Sequence, residues 1–106
     1  LCLGYIGVHF PYTNMAYKNI DSKILLAKTF ELVKQKGYSI VNIDSTLCLQ
    51  APKIAPYIPA MQEAIAGVLS IELSDISIKA TTTENMGFAG REEGLVAYST
   101  VLLKKV

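Results

Sequence analysis

The chain has little of what metal and disulfide chemistry draws on: one histidine and two cysteines in 106 residues. Cys2 and Cys48 lie far apart without C-x-x-C spacing, so neither a thiol knuckle nor a disulfide framework is expected, and a reducing compartment suits the sequence. A lone histidine such as His9 is more often structural than a ligand, and zinc needs three or four ligands from Cys, His and carboxylates. No zinc site is therefore expected within these residues. An excess of one charge is also lacking, since ten Lys and Arg against nine Asp and Glu give a formal net charge of +1. That balance offers no electrostatic case for binding nucleic acid. The apolar run from Leu1 to Val8 is too short to span a bilayer and has no basic flank, which excludes a membrane span or signal peptide there. With no initiator Met, the run reads as the tail of a preceding element, and a fragment is expected. No repeat, low-complexity tract or linker interrupts the order of elements. An apolar content of 51% is enough for one modest core, so residues 1–106 are expected to form a single domain.

What is present reads as alternating helix and strand. Asp21 or Ser22 can cap a helix carrying Ile24, Leu25, Leu26, Phe30 and Val33, with Lys34 and Lys36 in its last turn and Gly37 as its stop. From Tyr38 to Leu49 the spacing predicts a strand with Val41, Ile43, Leu47 and Leu49 on one face and Asn42, Asp44 and Thr46 on the other. A connector punctuated by Pro52, Pro56 and Pro59 leads to a helix bearing Ile58, Met61, Ile65, Val68 and Leu69, with Pro59 in its first turn. Ile76, Ile78 and Ala80 alternate with Ser77 and Lys79 in a short strand. A last strand from Leu95 to Leu103 is apolar on both faces, as expected of a centrally packed sheet covered by helices on one side and a neighbouring subunit on the other. The fold class expected is α+β, a mixed β-sheet with helices packed on one face.

Between the last two strands, Lys79 to Gly94 concentrates hydroxyls, glycines, a carboxylate and a guanidinium. Thr81 and Glu84 have the S/T-x-x-E spacing of a capping box, the commoner origin of such a pattern. The other reading places the hydroxyls of Thr81, Thr82 and Thr83 around phosphate oxygens, with Glu84 on a divalent cation and Arg91 neutralising charge. A second segment, Leu49-Gln50-Ala51-Pro52-Lys53-Ile54-Ala55, bears on the choice. Q-A-P-K followed by K-A-T-T-T-E-x-x-G-F-x-G-R-x-E-G resembles the C-terminal two thirds of the 2-C-methyl-D-erythritol 2,4-cyclodiphosphate synthase family. The match continues through Lys36-Gly37-Tyr38 and Asn42-Ile43-Asp44 and so covers essentially the whole chain.

The resemblance implies a phosphorus-oxygen lyase of non-mevalonate isoprenoid biosynthesis. It cyclises a CDP-methylerythritol 2-phosphate by intramolecular phosphate attack and releases CMP. It further implies Thr82 and Glu84 as catalytic residues, with Glu84 the ligand of magnesium or manganese. Leu49, Ala51, Pro52, Lys53, Ile54, Ala55, Thr81, Thr82 and Thr83 would form the nucleotide-binding set. Phe88 and Arg91 would lie near a trimer axis, and Phe10 and Thr13 in a substrate loop. The partners implied are a cytidine nucleotide substrate and two further copies in a homotrimer, and the compartment is cytoplasm or a plastid-type stroma. The family's zinc is held by a D-x-H pair and a further His to which no residue here corresponds.

One loop departs from the family pattern. Gly4-Tyr5-Ile6-Gly7-Val8-His9-Phe10-Pro11-Tyr12-Thr13-Asn14 stands where relatives read G-D-I-G-x-x-F-P-D-T-D, so Tyr5, Tyr12 and Asn14 replace acidic residues. A neutral phenol supports a metal-bound imidazole less well than a carboxylate does. This leaves, as the alternative, a catalytically inactive relative that keeps nucleotide binding or an assembly role.

Overall fold

A computed structural model describes all 106 residues. The elements run α1 (Ile6–His9), α2 (Ser22–Gln35), β1 (Tyr38–Cys48), α3 (Ile58–Leu69), β2 (Ile76–Thr81), α4 (Gly87–Gly90) and β3 (Val96–Lys105), with single 3-10 turns at Ala55–Tyr57 and Leu73–Asp75. Backbone contacts gather into two compact units, one of residues 1–39 with 105–106, the other of residues 40–104.

In the first unit, α2 begins and ends as its sequence dictates. The Asp21 carboxylate accepts from the Lys23 N–H at 2.8 Å, satisfying an amide that the helix cannot. Gly37 follows the last turn with φ +82° and donates its N–H to the Lys34 carbonyl at 2.8 Å. The segment Gly4–Asn14, expected as a loop after the tail of another element, instead contains the single helical turn α1. The His9 ring sits 2.6 Å from the Leu3 carbonyl, and the Phe10 ring meets Tyr17 edge-on at 5.4 Å. No residue of 1–39 is fully buried.

The second unit holds the core. The sheet has the order β2-β1-β3, and β1 and β2 run parallel with Ile43 opposite Ile76 and Ser45 opposite Ile78. Ser45 Oγ lies 3.0 Å from Ser99 Oγ and Val106 N–H bonds Gly37 O, so the β1 number falls as the β3 number rises and that pair is antiparallel. The sheet is mixed and the class is α+β, as expected. The parallel connection through α3 packs that helix on β2, burying Leu69 to 2% exposure together with Ile43, Ile76 and Ile78. Gln62 in α3 ties the two elements further by donating Nε2–H to the Ile76 carbonyl at 2.7 Å. Complete burial of a leucine contributes about 1.5–3 kcal/mol. On the opposite face, Lys79 and Asp44 pair at 2.7 Å in solvent, where such a pair contributes under about 1 kcal/mol.

Two features of β3 differ from expectation. It is an edge of the sheet, and β1 is the centre. Helix α3 covers β2 rather than β3, whose residues stay largely exposed, Tyr98 at 63%. Apolarity on both faces signals that both faces are to be covered; it carries no information about strand order.

Candidate functional site

The parallel pairing brings the carboxyl ends of β1 and β2 side by side, since Cys48 stands opposite Thr81 and Leu49 N–H extends the ladder to the Thr81 carbonyl at 3.0 Å. Both strands release their chains at the same end, and crevices at the carboxyl ends of parallel strands are the usual ligand sites of such sheets. A cavity of about 250 Å³ opens there, walled by Leu49, Gln50, Pro52, Lys53, Ile54, Ala55, Ala80, Thr81 and Thr82. Its walls are mainly apolar with a few polar groups, the composition usual for a small-molecule site. Leu49 is buried beneath it, whereas no carboxylate pairs with the Lys53 ammonium.

The threonine run divides by residue. Thr81, the last residue of β2, donates its hydroxyl to the Thr82 carbonyl at 3.1 Å. Thr82 Oγ1 accepts from the Glu84 N–H at 3.3 Å, so its own hydroxyl proton is free to donate to an anionic oxygen in the cavity. Thr83 turns to the Met86 carbonyl at 2.6 Å and does not line the cavity. The capping-box reading of Thr81 and Glu84 is not realised. Thr81 is still in a strand, and α4 starts only at Gly87 with Met86 as an N-cap that makes no side-chain bond.

Glu84 and Asn85 both adopt left-handed backbone, with φ +54° and +64°. Asparagine tolerates this region, whereas a glutamate there costs about 1 kcal/mol. The pair is braced from two sides. Asn85 N–H donates to Gln50 Oε1 at 3.2 Å, and Gly90 lies so close that a Cβ on it would stand 2.7 Å from Asn85 Cα. Gln50 is thus a site residue that the sequence did not single out. The Glu84 carboxylate takes part in no ion pair, and no three His, Cys, Asp or Glu side chains of the chain come together as a metal cluster. One carboxylate completed by phosphate oxygens and water fits magnesium, which is commonly held that way. It does not fit zinc, whose ligands these residues do not assemble.

The remaining expected residues do not line this cavity. Ala51, joined to Pro52 by a cis peptide, does not line it. Phe88 is 48% exposed, and its neighbour Ala89 is the residue α4 buries. Arg91 is held by Glu93 through Nε at 2.9 Å and Nη2 at 3.3 Å. Phe10 and Thr13 belong to the first unit. No helix is long and apolar enough to cross a membrane.

The YgbB family model matches residues 1–104. The 2-C-methyl-D-erythritol 2,4-cyclodiphosphate synthase of Bacteroides thetaiotaomicron is 61% identical over 100 residues, which are 94% of this chain and 63% of the relative, so the chain spans less than two thirds of that protein. Among solved structures, the bifunctional IspDF from Campylobacter jejuni superposes with a TM-score of 0.93 at 41% identity, covering 98% of this chain and 28% of that one. The CDP complex of IspF from Plasmodium falciparum gives a TM-score of 0.81 at 33% identity, covering 94% and 59%.

Proposed function

This chain belongs to the YgbB family, and from that membership we propose that it is the nucleotide-holding part of a 2-C-methyl-D-erythritol 2,4-cyclodiphosphate synthase. The reaction is an internal phosphoryl transfer. The 2-phosphate of a CDP-methylerythritol 2-phosphate attacks the diphosphate, the bond to CMP breaks, and a cyclic diphosphate forms. Chemistry of this kind is catalysed mainly by positioning and charge neutralisation. The observation that carries the proposal is the convergence of Gln50, Pro52 and Lys53 of Q-A-P-K with Thr81 and Thr82 of T-T-T-E on one cavity at the carboxyl ends of β1 and β2, with Glu84 in the turn that follows.

In that cavity Pro52, Ile54 and Ala55 hold the cytosine, and the Lys53 ammonium lies against the phosphate nearest the nucleoside. Thr82 donates its hydroxyl to a diphosphate oxygen, and Glu84 offers its carboxylate to a magnesium or manganese ion that offsets diphosphate charge when bound. No residue of this chain corresponds to a zinc ligand of the family, so zinc would be held by a part of the relatives' length that these residues do not span. The exposed apolar side chains of β3, Tyr98 and Leu102 among them, are suited to burial against further copies, as in a homotrimer. Calorimetric titration of the full-length protein with CMP and CDP, with and without magnesium, tests the site. Saturable binding, tighter for CDP when magnesium is present, is expected. No saturation at millimolar nucleotide would remove the proposal.

A further inference from the structure

We propose that Gln50 is a positioning residue that couples the nucleotide wall of the cavity to the cation-facing carboxylate of Glu84. Two cavity-lining side chains bond the Glu84–Asn85 turn, Thr82 from within the same segment and Gln50 from the other wall, reaching across 35 residues of sequence to accept from the Asn85 N–H at 3.2 Å. The turn needs such a brace. Two successive left-handed residues, the first a glutamate, are unfavourable without surrounding structure that over-determines them. Gly90 supplies contact from the other side but no hydrogen bond to Asn85, and the Glu84 N–H is already satisfied by Thr82 Oγ1. Removing the Gln50 acceptor therefore leaves Asn85 without its partner and lets the Glu84 carboxylate swing. Because Gln50 immediately precedes the Ala51–Lys53 loop, a nucleotide that orders this loop orders the glutamate as well. Cation binding and nucleotide binding then reinforce each other.

The coupling rests on the reading of the cavity as a CDP site; the bracing of the turn does not, and two measurements on the full-length protein separate them. The first is amide hydrogen exchange at Asn85 without ligand. Gln50→Met, similar in length but lacking the amide oxygen, should accelerate it by up to about tenfold, the equivalent of one net hydrogen bond, and Gln50→Glu, which keeps an acceptor, should restore protection. The second is the ratio of CDP affinities with magnesium and with chelator. Gln50→Met should lose most of the magnesium enhancement, a ratio taken within one variant and so independent of any change in its CMP affinity. Gln50→Glu should keep the enhancement although its added charge lowers CDP affinity overall. Unchanged Asn85 exchange in Gln50→Met overturns the bracing role whatever the ligand does. Faster exchange with an intact magnesium enhancement overturns the coupling. If the unsubstituted protein binds no CDP, the functional reading fails and the coupling with it, while Asn85 exchange still decides the brace.

Discussion

At Glu84 the backbone and the carboxylate make separate demands, and two substitutions separate them. Glu84→Gln keeps the left-handed backbone problem and removes the charge. Magnesium-dependent enhancement of CDP binding should vanish, with the melting temperature unchanged within a few degrees. Glu84→Gly relieves the backbone and is expected to hold or raise stability by up to about 1 kcal/mol, again without magnesium enhancement. A glutamine variant with full magnesium dependence would return Glu84 to a purely structural role. Lys53 has a simpler task. Its unpaired ammonium gains with each added phosphate charge, so Lys53→Ala should weaken CDP more than CMP in the same titration. Lys53, Thr82 and Glu84 are marked as candidates by the family resemblance of the motifs they belong to, since spacing alone favours a capping box for Glu84. Gln50 is not, because its role lies in one bond to an amide far along the chain.

At the scale of elements, the Glu84–Asn85 turn depends on how closely α4 approaches it. Gly90→Ala would drive a Cβ into the Asn85 backbone, which cannot step aside as a flexible side chain can. Chemical denaturation should show a loss of about 1–3 kcal/mol, and the variant should share the magnesium-insensitive binding of Glu84→Gln. Leu69→Ala, in the buried contact of α3 with the sheet, should cost about 2–5 kcal/mol and leave nucleotide selectivity alone in whatever fraction stays folded. Helices α2 and α3 and strand β2 could be read from the sequence because caps and apolar periodicity are local properties of a chain. The single turn α1 buries nothing and leaves no periodic trace, so it could not. Nor could the edge position of β3, since strand order is set by partners distant in sequence.

On the scale of the whole molecule, a core confined to six buried apolar residues contrasts with the exposed apolar side chains of β3. Cover from further copies is the economical outcome, and sedimentation equilibrium of the full-length protein should give a trimer. Tyr98→Lys with Leu102→Lys, on one face of β3, should shift it to smaller species; a monomer before substitution would refute the assembly. The 106-residue chain alone, given the cytidine substrate, zinc and magnesium, should release no CMP above background, because its side chains gather no zinc ligand set.

The parallel pairing of β1 with β2 has a consequence for how the protein resists unfolding. The two walls of the cavity are separated by the entire α3 crossover, so the cavity exists only while that long loop is closed. A nucleotide touching both walls therefore acts as a reversible clasp on the loop, opposing the entropy released when it opens. At a hundred times its dissociation constant such a ligand adds about 2.7 kcal/mol to the stability of the closed state. A protease that cuts only opened chains should then spare the α3 segment in proportion to nucleotide occupancy, although α3 lines no part of the cavity.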